Sequence, residues 1–137
     1  MKLTIHSVID NLNDSGLPDG EPEINIVTLD ADVKVNGGTL YLRYTEEAEG
    51  AVTRTLITAH ESGIRLSKRG AVEWETNFIA GEESRTLYKI PPYTFDADIR
   101  TSRAEWTTQG DGHILRLIYS MNIGGAEKSV KIKMTLK

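Results

Sequence analysis

Apolar and polar residues alternate with period two along most of the chain, in short runs separated by glycine-rich punctuation. That period sends successive side chains to opposite faces of a strand, so each run predicts a half-buried β-strand. Val72, Trp74, Thr76 and Phe78 alternate with Glu73, Glu75 and Asn77, the cleanest case. Val130, Ile132, Met134 and Leu136 alternate in the same way with Lys131, Lys133 and Thr135. Asn36-Gly37-Gly38 predicts a hairpin, followed by a strand with Leu40, Leu42 and Tyr44 on one face. A helix over residues 46–61 is disfavoured by Gly50 and by the β-branched Val52, Thr53, Thr55, Ile57 and Thr58.

Three segments modify this pattern. Val27, Leu29, Ala31, Val33 and Val35 share one parity whereas Ile24 and Ile26 occupy the other, which predicts a β-bulge near Val27. The run from His113 to Ile123 is apolar on both parities, with Leu115, Leu117, Tyr119 and Met121 against Ile114 and Ile118. Its outer face is therefore expected to be covered by the chain or to form a homodimer surface through Ile114 and Ile118. Pro91-Pro92 ends the strand carrying Thr86, Tyr88 and Ile90, because proline supplies no ladder donor. Residues 2–10 read as a further strand, and residues 11–21 are turn chemistry throughout and are expected to form a mobile loop. The sum is all-β: one domain over residues 1–137, a single antiparallel, mostly up-and-down barrel of about 8–10 strands.

Composition narrows the function classes. Cysteine is absent, so no disulfide framework or thiolate metal site exists. The net charge of −4 carries no basic stripe, which argues against a nucleic-acid partner. The N-terminal residues Met1 to Ser7 lack a leader's apolar run, and no stretch approaches the ~18 apolar residues of a membrane span. A cytoplasmic location away from membranes is expected.

The order of several short elements resembles the YwiB-like family of small bacterial proteins. These are Leu40-Tyr-Leu-Arg-Tyr-Thr-Glu-Glu47 before a threonine-bearing strand, Arg69-Gly-Ala-Val72, Phe78 with Gly81, and Pro92-Tyr93. Gly110-Asp-Gly-His-Ile-Leu-Arg-Leu-Ile-Tyr-Ser-Met121 completes the set. The resemblance covers nearly the whole chain and implies a calycin-like barrel, the architecture of lipocalins and fatty-acid-binding proteins. It implies no activity. Thr94 stands where a glycine is expected after the Pro-Tyr pair, and the Gly-x-Trp signature of true lipocalins is missing near the N-terminus.

Candidate chemistry is sparse. His6, His60 and His113 lie in no metal-ligand spacing, and Glu46, Glu47, Glu49, Glu82 and Glu83 read as solvated turn charges. No nucleophile elbow or phosphate-cradling loop is present. The chain is expected to be non-enzymatic, with no catalytic residues, no cofactor and no metal. Tyr44, Trp74, Tyr88, Tyr93 and Tyr119 fall on faces expected to point inward, joining apolar bodies to polar tips. A barrel lined this way suits a small apolar or amphipathic ligand, with Arg54 or Arg116 available to an anionic head group. The alternatives are a filled core with both arginines in water, or a protein-interaction module using the barrel exterior.

Overall fold

The computed structural model describes residues 1–137 and contains eleven strands and no helix. In chain order these are β1 (Lys2–Leu12), β2 (Glu23–Asp30), β3 (Asp32–Asn36), β4 (Thr39–Ala48) and β5 (Ala51–His60). Then follow β6 (Gly63–Gly70), β7 (Trp74–Phe78), β8 (Glu83–Ile90), β9 (Tyr93–Gln109), β10 (Gly112–Ile123) and β11 (Ala126–Leu136). No helix is long and apolar enough to cross a membrane.

All ladders are antiparallel, and sequential strands pair except β2 with β3 and β7 with β8. The non-sequential pair is β1 with β11, which joins the two ends of the chain. Two sheets result, ordered β2-β1-β11-β10-β9-β8 and β3-β4-β5-β6-β7. The expected closure of one sheet on itself is thus incomplete, and two seams take its place. At the first, the chain passes from β2 to β3 through buried Ala31, whose backbone exchanges hydrogen bonds with Met1 at 2.8 and 3.0 Å. At the second, between β7 and β8, Glu73 and Lys89 exchange backbone bonds of 2.9 and 2.8 Å. Side chains tie the rest of that seam: the Thr86 hydroxyl donates to the Glu75 carbonyl at 2.6 Å, and Thr76 Oγ1 lies 3.4 Å from Ser84 Oγ.

One register expectation needs correction. The β1–β2 ladder runs unbroken from Lys2–Asp30 to Ile9–Glu23, so there is no bulge at Val27. Ile24 and Ile26 are instead outward-facing, 59% and 67% exposed. The bulge lies in β9, where Ile118 pairs with Arg103 but Tyr119 pairs with Thr101. Ser102 is the extra residue, and its hydroxyl donates to the Ile118 carbonyl at 3.1 Å. Between Leu12 and Glu23 the backbone is turned tightly by Asn13, whose Oδ1 accepts from the amides of Ser15 and Leu17 at 2.9 and 3.1 Å.

The two inner faces share one core, but it is filled unevenly. At one end Leu3, Leu40, Leu42, Ile57, Leu115 and Leu136 are almost solvent-free. At the other end the inward positions carry small or polar residues, among them Ser7, Asn25, Thr53, Thr55 and Ala126. Large branched side chains fill one half of the interior, and short ones leave the other half open.

Candidate functional site

The open half is a cavity of about 710 Å³ lined by 24 residues, of which 19 are hydrophobic. Its size lies in the range of small-molecule sites, roughly 300–1,000 Å³. The mouth is marked by exposed lining residues: Asn25 and Val27 on β2, Ile90 at the end of β8, Phe95 at the start of β9, and Lys128 on β11. Buried Leu66, Phe78, Leu117 and Met134 make the floor, and the solvent-free leucines of the packed end lie off the lining.

An aromatic wall runs along one side. Tyr88 meets Trp74 edge-on at 5.4 Å between ring centroids, Trp74 meets Phe78 edge-on at 6.1 Å, and Phe78 lies tilted against Tyr119 at 4.7 Å. Phe78 is fully buried, with Trp74 and Tyr119 each 6% exposed, so the wall is rigid where it meets the core. Tyr44 approaches from β4, opposite Thr55 in the β4–β5 ladder. Burial pushes the Tyr44 phenol well above its ordinary value; the Glu46 carboxylate adds to this and the Thr55 hydroxyl opposes it. Burial likewise raises Tyr119, with smaller contributions from Tyr88 and Tyr44, and raises Tyr88. The lining phenols therefore stay neutral hydrogen-bond donors at any physiological pH.

Charge enters the lining at Glu46, Lys68 and Lys128. Lys68 Nζ lies 3.4 Å from Glu46 Oε1, both side chains partly buried. The two residues occupy inward positions on β6 and β4, flanking the threonines of β5. Gly70 ends β6 beside them with φ +127°, and a Cβ there would strike the Val52 carbonyl oxygen. Its bare backbone lets the Ala71 amide donate to that oxygen at 3.0 Å, which brings Val72 and Trp74 round to the cavity.

Of the residues singled out from sequence, Tyr44, Trp74, Tyr88 and Tyr119 converge on this cavity. The other three do not. Tyr93 is 65% exposed beside the Pro91-Pro92 turn. Arg54 is exposed between Thr45 and Arg69 on the outer face, and Arg116 is outward between Glu105 and Lys133. Both arginines alternate with buried neighbours, so strand parity alone excludes them from the interior. Ile114 and Ile118 are also outward and half-buried, Ile118 between Arg103 and Lys131 and Ile114 between Thr107 and Thr135. His60 Nδ1 lies 2.7 Å from Ser62 Oγ in an exposed turn, and His113 Nδ1 accepts from Trp106 Nε1 at 3.2 Å; neither histidine reaches the cavity.

Sequence reasoning missed Glu46 and the β1–β2 contribution of Ile5, Ser7, Asn25 and Val27. Glu46 shares the parity of Leu40, Leu42 and Tyr44, which was signal enough to turn it inward. Ser7 and Asn25 are paired across β1–β2, a relation that becomes visible only once the register is known.

No curated protein matches the chain. Among solved structures, the ywiB protein from Bacillus subtilis superposes with a TM-score of 0.76 at 18% sequence identity, over 99% of this chain and 92% of that one. At that identity the likeness concerns the fold. Residues 15–136 match the family described as "Domain of unknown function (DUF1934)", and the chain belongs to that family.

Proposed function

We propose that this protein binds a small apolar or amphipathic molecule in the cavity between its two sheets. The reading rests on one observation: an interior left unfilled over about 710 Å³, apolar along its walls and open at the strand ends. A monomeric core of this size normally packs to the density of an organic crystal, and a void this large forfeits dispersion contacts that a ligand restores. With the lining mostly apolar and its Lys68 and Glu46 engaged with each other, the role inferred is carriage or sensing rather than catalysis, in the cytoplasm.

Native mass spectrometry of freshly purified protein tests this, with an adduct of a few hundred daltons expected and lost on denaturation. With Trp106→Phe removing the second tryptophan, Trp74 fluorescence should respond saturably to the neutral probe N-phenylnaphthylamine. Ser7→Trp, which fills the cavity from β1, should abolish the response. Absence of both the adduct and the saturable response would sink the reading.

A second reading, a homodimer through Ile114 and Ile118, draws support from their outward position on a two-sided apolar strand. It requires a mass that rises with concentration in light scattering and falls back in Ile118→Lys.

A further inference from the structure

The polar groups inside the cavity restrict what it accepts. Tyr44, Tyr88 and Tyr119 all line it, yet no hydrogen bond within the protein reaches the hydroxyls of Tyr88 or Tyr119. Tyr44 differs from these two, because its phenol is influenced by the Thr55 hydroxyl across the β4–β5 ladder, a fully buried group that lies off the lining. Buried tyrosine hydroxyls ordinarily find partners, because leaving one unpaired away from bulk water is costly. The Tyr88 and Tyr119 hydroxyls are thus donors without protein acceptors, bordering a mostly apolar cavity.

No free cation accompanies them. Lys68 is engaged by Glu46 at 3.4 Å, Lys128 is exposed at the mouth, and Arg54 and Arg116 are on the outer faces. A carboxylate carried down to the tyrosines would lose its hydration, gain no guanidinium and meet the Glu46 carboxylate. An uncharged acceptor meets no such penalty.

We propose, building on the cavity reading above, that the site selects a neutral lipid-like molecule whose carbonyl group is held by Tyr88 and Tyr119, its chain lying along Ile9, Met121 and Ile123. The phenols supply the O–H donors and the ligand supplies the lone pairs. The three apolar residues all lie on the lining, on β1 and β10. Lys128 interacts with bulk water and contributes little to holding a charged head group there.

The test is competition against N-phenylnaphthylamine on the full-length protein, using a ten-carbon methyl ketone, the alkane of the same length and the corresponding carboxylate in its ionised form. The ketone should displace the probe at a concentration roughly tenfold below either competitor, the worth of one or two neutral hydrogen bonds. Tyr119→Phe and Tyr88→Phe should each weaken the ketone by roughly three- to tenfold and leave the alkane unchanged. Because each removes only an unpaired hydroxyl, thermal unfolding of the free variants should not shift downward. If alkane and ketone compete equally, the tyrosine assignment fails while the cavity reading stands. If the carboxylate binds best and Lys128→Gln removes that preference, the selectivity is for anions and the proposal is overturned. If the probe itself never binds, both fall.

Discussion

Thr55 is the residue whose environment is hardest to reconcile with stability alone. It sits 2% exposed on β5, faces Tyr44 and Lys68 across its two ladders, and its hydroxyl makes no hydrogen bond of good geometry although it acts on the Tyr44 phenol. An unpaired buried hydroxyl costs about 1–3 kcal/mol, so Thr55→Val should stabilise the free protein by about 1 kcal/mol in urea denaturation. A loss of stability would mean that the Tyr44 hydroxyl is in fact its partner. Surface charges act more weakly at this scale. Arg85–Asp98 and Arg100–Glu83, each 2.8 Å apart across β8 and β9, are well exposed and contribute little individually. The residues that matter most were legible as aromatic positions of correct parity. Their chemistry as donors without acceptors was not, since partnership is a property of the neighbours.

Within the elements, the β9 bulge decides which face each half of that strand buries. Before Ser102 the inward residues are Ala97, Ile99 and Thr101; after it they are Ala104 and Trp106. The apolar parity changes from odd to even at that point, a signal present in the sequence and readable as a bulge. The apparent slip near Val27 was a false version of the same signal, because Ile24 and Ile26 are simply apolar residues on an outer face. Deleting Ser102 removes the extra residue and should leave an even ladder, with Arg103 still opposite Ile118 and Ala104 and Trp106 still inward. The expected loss is about 1 kcal/mol, seen as a slightly lowered urea midpoint, because the Ser102–Ile118 hydrogen bond and the local twist of the bulge are lost while no charge is buried. An unchanged midpoint would show that the bulge is dispensable.

For the molecule as a whole, the two ends of the interior should respond differently to truncation. Leu136→Ala, in the packed half, leaves a true hole and should cost about 2–5 kcal/mol. Met121→Ala, on the cavity lining, removes atoms already bordering open space and should cost about 1 kcal/mol in the free protein. Equal losses would imply that the cavity collapses in solution. Alkaline pH offers a second global readout. Tyr44 and Tyr119 have folded-state pKa values raised above their unfolded value of about 10, chiefly by burial. The unfolded chain therefore releases those protons first, and stability that is constant below pH ~10 falls as pH rises beyond it. The decline approaches about 1.4 kcal/mol per pH unit for each buried phenol. Urea midpoints measured on either side of pH ~10 should show the drop. The Tyr44→Phe, Tyr119→Phe double variant should flatten it.

The alternation of side chains was sufficient by itself to determine an all-β antiparallel protein, most strand positions and the inward turn of Tyr44, Trp74, Tyr88 and Tyr119, because period and parity are local properties of the backbone. Three things were decided only in the folded chain: the division into two sheets with seams at Ala31 and at Glu73–Lys89, the outward placing of Arg54 and Arg116, and the hollow beside a packed floor. The seams and the hollow depend on how residues distant in sequence come to share volume, and a one-dimensional pattern carries no measure of volume. The arginines differ in kind, since their parity was already in the chain and the three-dimensional fold only showed which face is the inner one.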